Sequence, residues 1–163
     1  GGDYTSPPTV GLRAFSANYT ATLFDKEGYE EGEHLKTFGG LEDTNAFLAF
    51  MTGFFSGVDA NNLLGMLNTW QNGDIGKHEM FGGDTKAALA NITCPALVMP
   101  SATDLSFPAR NNIPEVAAMP NAELLVIPSK RGHFAGSMAP ALAAAETVSF
   151  TDNAIKNLLK RIS

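Results

Sequence analysis

The chain has 163 residues, of which 44% are hydrophobic and 17% charged, with a formal net charge of −6 and a single cysteine. That length allows one domain with its own core, and the hydrophobic share excludes a disordered chain. There is no basic stripe for nucleic acid or an anionic membrane, no apolar stretch approaching the ~18 residues of a membrane span, and no possible internal disulfide.

The opening, Gly1 to Val10, is turn-rich, with Pro7-Pro8. Gly11 to Phe24 follows as a predicted helix, with Leu12, Phe15, Tyr19 and Leu23 near helical spacing. Asp25 to Gly40 is polar and Gly-containing and reads as a loop. Leu41 to Ser56 predicts a second helix with a stripe of Leu48, Met51, Phe54 and Phe55. Asp59 can cap a third, Ala60 to Gln71, and Asp84 a short fourth, Thr85 to Asn91. No strand pattern occurs in this half.

After Ile92 the pattern changes. Cys94 to Met99 is a short continuous apolar run, the signature of a strand buried on both faces. Asn111 to Met119 predicts a short helix broken early by Pro114, and Glu123 to Ile127 a second strand. Phe150 to Ile162 puts Ile155, Leu158, Leu159 and Ile162 on one helical face. Ala139 to Ala145 is merely Ala-rich. The order strand, helix, strand, helix implies two parallel strands joined by a right-handed crossover.

Two such strands cannot stand alone, because their edges and faces need further strands and helices. If about eight large apolar side chains lose half their burial, on the order of 8 kcal/mol is forfeited. A whole domain is stable by only about 5–15 kcal/mol. The sheet is therefore expected to continue in residues outside this chain or in a partner chain. The low charged fraction agrees with a surface buried in that way.

Both strand runs end in turns that a parallel sheet brings to its carboxyl edge, where α/β proteins keep their sites. The first turn carries Asp104 and the second His133. A carboxylate beside an imidazole fixes its tautomer and stabilises the imidazolium. The order acid then base, after an earlier serine, is that of α/β-hydrolases. The nucleophile elbow G-x-S-x-G is missing from the sequence, and Ser101, Ser129 and Ser137 lack its strand-to-helix context.

"TDLSFP" (Thr103 to Pro108), "MPNAELLVIPS" (Met119 to Ser129) and "GHFAG" (Gly132 to Gly136) resemble the C-terminal part of the α/β-hydrolase superfamily. "GGDY" with the later "GL" (Gly1 to Leu12) and "LLGMLNTWQNGDI" (Leu63 to Ile75) resemble the cap of its homoserine O-acetyltransferase-like branch. The resemblance implies a helical cap at 1–92 and the C-terminal β-α-β-α part of the core at 93–163. It implies Asp104 as triad acid and His133 as general base. It also implies small-molecule acyl donors, acetyl-CoA among them, with their acceptors. Two positions depart from the branch: Phe134 follows His133 where an Asp is typical, and Phe15-Ser16 stand where Ala-Arg is common.

The expected function is thus the C-terminal part of a serine-dependent acyltransferase or esterase, inactive without its nucleophile. The alternative is a non-catalytic subunit or truncated remnant that completes a partner's sheet. Trp70, Arg13 and Phe134 are the candidate substrate contacts, with Met66 beside Trp70. His34 and His78 read as solvated loop residues, Cys94 as a buried apolar one, and Asp74 as a structural carboxylate. No cluster has metal-ligand spacing, and neither metal nor cofactor is expected. The expected setting is cytoplasmic, in keeping with the single cysteine and a start unlike a signal peptide.

Overall fold

The computed structural model describes residues 2–137, 139, 142 and 144–162. Gly1 and Ser163, the outer limits of the two expected regions, lie outside the described residues, as do positions 138, 140, 141 and 143 around the Ala-rich run.

Six α-helices come first: α1 (Thr9–Thr20), α2 (Lys26–Glu30), α3 (Glu33–Thr37), α4 (Thr44–Ser56), α5 (Ala60–Asn72) and α6 (Thr85–Ala90). They are followed by β1 (Ala96–Val98), α7 (Ala109–Ala118), β2 (Ala122–Leu124) and α8 (Ala145–Ile162). Short 3₁₀ turns lie at Ile75–Lys77 and Gly132–Phe134. Aspartates start most of the early helices. The carboxylates of Asp25, Asp43, Asp59 and Asp84 each accept from backbone N–H groups of the first turn. Such a cap satisfies donors that would otherwise lack a partner.

Helix α1 presents Leu12, Ser16 and Thr20 inward, each one turn after the last. Two of the three are small, which lets α1 lie close against α4. From α4 come Phe47, Met51 and Phe55, again one turn apart. With Leu23 and Phe24 they form the main buried cluster. This differs from the expected stripe of Leu48, Met51, Phe54 and Phe55: Leu48 and Phe54 are exposed. The inward row follows an i, i+4, i+8 spacing from Phe47, so its neighbours Leu48 and Phe54 fall on the flanks.

The segment 25–40, expected as a loop, holds α2 and α3 instead. Asp25 caps the first, and Gly32, at φ +72°, turns the chain into the second. His34 is consequently buried rather than solvated. Its ring lies among Phe24, Tyr29 and Phe47, and Nε2 lies 3.1 Å from Thr44 Oγ1.

The strands pair in parallel, Ala96 with Ala122 and Val98 with Leu124. The ladder runs on past both strands: Leu125 N donates to Val98 O, Ile127 N to Pro100 O, and Ala102 N to Ile127 O. Burial on both faces is not realised, since β1 is only half-buried among the described residues. Cys94, expected inside, is exposed just ahead of β1, where no described residue covers it. Pro114 lies within α7 and does not break it. A proline removes only its own N–H bond to the carbonyl four residues back, here that of the exposed Arg110, which water can satisfy. Helix α8 begins earlier than expected, at Ala145, and leaves Ile155, Leu159 and Ile162 exposed.

Candidate active site

The turn after β1 and the turn after β2 meet at one end of the sheet. Thr103 ties them together: its Oγ1 donates to Ser129 O at 2.8 Å and accepts from Gly132 N at 3.1 Å. Ser101 and Ser129 spend their hydroxyls on these turns, accepting from Thr103 N and Arg131 N. Gly132 has φ +51°, and a Cβ there would sit 2.1 Å from Leu23 O. Only glycine fits that approach. The next residue, His133, donates its backbone N–H to the same Leu23 carbonyl at 2.8 Å. The end of α1's connection thus fixes the histidine turn from the helical side.

Asp104 and His133 come together as the sequence implies. Asp104 Oδ2 lies 3.0 Å from His133 Nδ1. The other oxygen, Oδ1, accepts from Ser106 N at 2.8 Å and Phe107 N at 2.9 Å. These amide donors hold the carboxylate plane, so the imidazole orientation is set from the backbone outward. The aspartate side chain is 10% exposed and the imidazole 26%. With Nδ1 engaged, Nε2 is the nitrogen left to exchange a proton with a third group.

Aromatic rings surround the imidazole: Phe107 at 5.6 Å, Phe134 at 5.9 Å and Tyr19 at 6.4 Å between centroids. Burial, and then the charge of Asp104, push the Tyr19 hydroxyl above its ordinary value. His133 borders two hollows. One, of about 330 Å³, lies along the strand ends and includes Pro100, Ser101 and Asp104. The other, of about 720 Å³, lies between α1, α4, α5 and the histidine turn.

The candidate contacts divide. Trp70 and Phe134 both line the larger cavity, as does Met66. Trp70 stacks edge-on against Phe107 at 5.7 Å. Arg13 is not brought there: it is exposed on α1, turned away from Phe15 and Tyr19. Asp74 is structural, accepting from Gly76 N and Thr85 Oγ1. His78 is exposed and accepts from Met80 N at Nδ1. Among the described residues no three His, Cys, Asp or Glu side chains gather as a metal site, and no helix is long and apolar enough to cross a membrane. Sequence reading missed Tyr19, Phe107 and Thr103 as parts of the site. Tyr19 was visible only as one member of α1's apolar stripe.

A parallel strand pair with a crossover helix, a carboxylate after the first strand and a histidine after the second, is the C-terminal portion of an α/β-hydrolase fold. Sequence and fold together place the chain in the α/β-hydrolase superfamily. It is 32% identical over 130 residues to an ethyl acetate hydrolase of Pseudomonas veronii, covering 79% of this chain and 36% of that protein. Among solved structures, an acetylester hydrolase from Corynebacterium glutamicum matches with TM-score 0.84 and 32% identity over 97% of this chain and 44% of that one. The acetyl esterase MekB matches with TM-score 0.81 and 29% identity over 93% of this chain and 42% of its own. The chain therefore spans less than half the length of each of these relatives. No family model matches it. These relatives are ester hydrolases, and none of them belongs by name to the homoserine O-acetyltransferase-like branch.

Proposed function

We propose that this chain is the cap and the acid–base half of a serine-dependent ester hydrolase. Residues 1–92 form the cap, and Asp104 and His133 are two members of a catalytic triad. The nucleophilic serine comes from residues outside this chain, which also extend the sheet. The observation that carries the proposal is the 3.0 Å contact between Asp104 Oδ2 and His133 Nδ1, with the ring beside a large apolar cavity.

In the reaction the serine Oγ attacks the ester carbonyl while His133 Nε2 takes its proton. The tetrahedral adduct collapses, the C–O bond to the alcohol breaks, and His133 returns the proton to the departing alkoxide. A water then repeats the sequence on the acyl-serine, releasing the acid and restoring the hydroxyl. Asp104 does not take up the proton. It stabilises the imidazolium and holds the tautomer that leaves Nε2 free. Acyl transfer from acetyl-CoA to another acceptor would use the same pair, but hydrolysis is favoured because the relatives are hydrolases.

The test is p-nitrophenyl acetate hydrolysis by the full polypeptide that carries the serine. His133→Ala should lower kcat by about 10⁴-fold or more, and Asp104→Asn by about 10³–10⁴-fold. If either variant hydrolyses the ester like the parent, the roles are wrong.

A second reading, a sheet-completing module without catalysis, draws on one observation. Ile113, Val126, Ile155 and Leu159 are exposed around the strand pair. The ester assay on the full polypeptide separates the readings: no hydrolysis by the parent favours the module. A well-packed monomer of the 163-residue chain in size-exclusion chromatography argues against missing strands, and so against both.

A further inference from the structure

Two turns carry the acid and the base, and most of the polar bonds around them stay within one turn. Asp104 Oδ1 is fixed by Ser106 N and Phe107 N of its own turn. The hydroxyls of Ser101 and Ser129 reach only along their own turns, to Thr103 N and Arg131 N. None of these bonds sets the distance between the turns. The backbone ladder stops short of the pair: among the described residues its last rung is Ala102 N to Ile127 O at 3.0 Å, and Pro128 to Gly132 intervene before His133.

Beyond that rung one side chain joins the two turns ahead of the pair. Thr103 Oγ1 donates to Ser129 O at 2.8 Å and accepts from Gly132 N at 3.1 Å, across 26 and 29 positions of chain. Thr103 immediately precedes Asp104, and Gly132 immediately precedes His133. The hydroxyl bond and the 3.0 Å contact of Asp104 Oδ2 with His133 Nδ1 are therefore successive rungs between the same turns. Gly132 is buried, and the Leu23 carbonyl closes its other side. A buried N–H that loses its acceptor is costly, so without the hydroxyl the turn would shift to find another. Threonine suits the place because its branched Cβ restricts χ1 and so limits where the hydroxyl points.

We infer that Thr103 is a positioning residue of the reaction: its hydroxyl sets the separation of the acid turn from the base turn, and through it the alignment of Asp104 with His133. What the pair does rests on the ester-hydrolase reading; how it is held rests on two hydrogen bonds whose partners all lie within this chain. Thr103 borders neither hollow beside His133, so its loss is read in turnover and not in substrate binding.

The experiment uses the full polypeptide that carries the serine, with p-nitrophenyl acetate. Thr103→Val keeps the shape and removes the hydroxyl. It should lower kcat and kcat/KM together by about ten- to hundredfold, the scale of a misplacement of about 1 Å, with KM within about twofold. Thr103→Ser restores donor and acceptor without the branched carbon and should stay within about fivefold of the parent. The proton between Asp104 and His133 gives a readout that needs no turnover. Its far-downfield NMR resonance, identified by its loss in His133→Ala, should persist in Thr103→Ser and broaden or vanish in Thr103→Val. A parent-like kcat in Thr103→Val, a loss confined to KM, or a serine variant as impaired as the valine one overturns the inference. Should the valine variant not fold, Thr103→Ala carries the same test, and failure of both to fold makes Thr103 a structural residue and overturns the positioning role. If Asp104→Asn and His133→Ala hydrolyse the ester like the parent while the resonance still depends on the Thr103 hydroxyl, the hydrolase reading fails and the hold of Thr103 on the pair stands. If those two variants lose activity while Thr103→Val keeps both activity and resonance, the inference fails and the hydrolase reading stands.

Discussion

The helical region, from Thr9 to Ala90, and the strand region, from Ala96 to Ile162, use similar residues to different effect. The first closes a core of its own: Leu23, Phe24 and Phe47 are fully buried, and rings of Tyr29, His34 and Phe38 pack around them. In the second, Ile127 is the one large side chain buried to that degree among the described residues, while Ile113, Ile155 and Leu159 are open. The reason is the hydrogen bond. A helix satisfies its backbone internally, so a few helices can enclose a core among themselves. A strand needs lateral partners, and two strands leave edges and faces bare. The two regions meet where Leu23 O accepts from His133 N, and the candidate active site lies on that seam.

Unequal mutational costs are the sharpest consequence. Phe47→Ala removes a ring with four aromatic neighbours and should cost about 3–5 kcal/mol in urea unfolding. Ile155→Ala, at a side chain 42% exposed, should cost under about 1 kcal/mol in the 163-residue chain. Equal costs would mean that α8 is covered, and the contrast between the regions would fall. Gly132→Ala tests the seam itself. The backbone conformation alone should cost about 1–3 kcal/mol, and the approach to Leu23 O forces the histidine turn to move. Ester hydrolysis should therefore fall more than stability does. A variant of full activity would show that the seam does not position His133.

The chemistry-bearing turns were legible because they follow apolar runs, and parallel strands must end at a common edge. The caps were legible for a similar local reason: Asp59 and Asp84 sit one residue ahead of a helical pattern. What escaped reading depended on partners distant in sequence. Helices α2 and α3 have five residues each, too short to display a period. His34 is buried because Phe24 and Phe47 close over it, and no local signal says so. Cys94 erred the other way, since an apolar run predicts burial only if something packs on it. Tyr19 belongs to an ordinary amphipathic stripe, and only the placement of the Asp104 turn makes its hydroxyl part of a site.

His34 gives a smaller, pH-dependent contrast. Burial holds its imidazole below the ordinary value. The unfolded chain therefore takes up a proton first as the pH falls. The stability tied to neutral His34 is intact above about pH 6.5 and is lost progressively below it, until the pH passes the lower value of the folded state. Unfolding midpoints between pH 7.5 and 5 should drop for the parent and drop less for His34→Leu. Parallel curves would mean that the ring is solvated in solution. A variant that unfolds at neutral pH would instead report lost packing, and comparing slopes rather than midpoints keeps the two effects apart.

The smallest effect belongs to the surface clamp across the same seam. Lys130 Nζ lies 2.7 Å from Glu27 and 2.7 Å from Glu31, all three half-exposed. Its two carboxylates, one turn apart on the helical side, repel each other unless a cation sits between them. That pairing raises the lysine above its ordinary range and holds Glu27 below the usual carboxylate value. Its contribution is thus present below the ordinary lysine value and lost as the pH rises through the higher folded one. It is lost at the acid end only as the pH falls through the range below the ordinary glutamate value. Between those limits Lys130→Ala should lower Tm slightly and by the same amount from pH 6 to pH 9. Exposed pairs are screened, so the difference should shrink in about 1 M salt, where the Debye length is about 3 Å. A loss that salt leaves unchanged would assign the contribution to the aliphatic stem of Lys130 rather than to its charge.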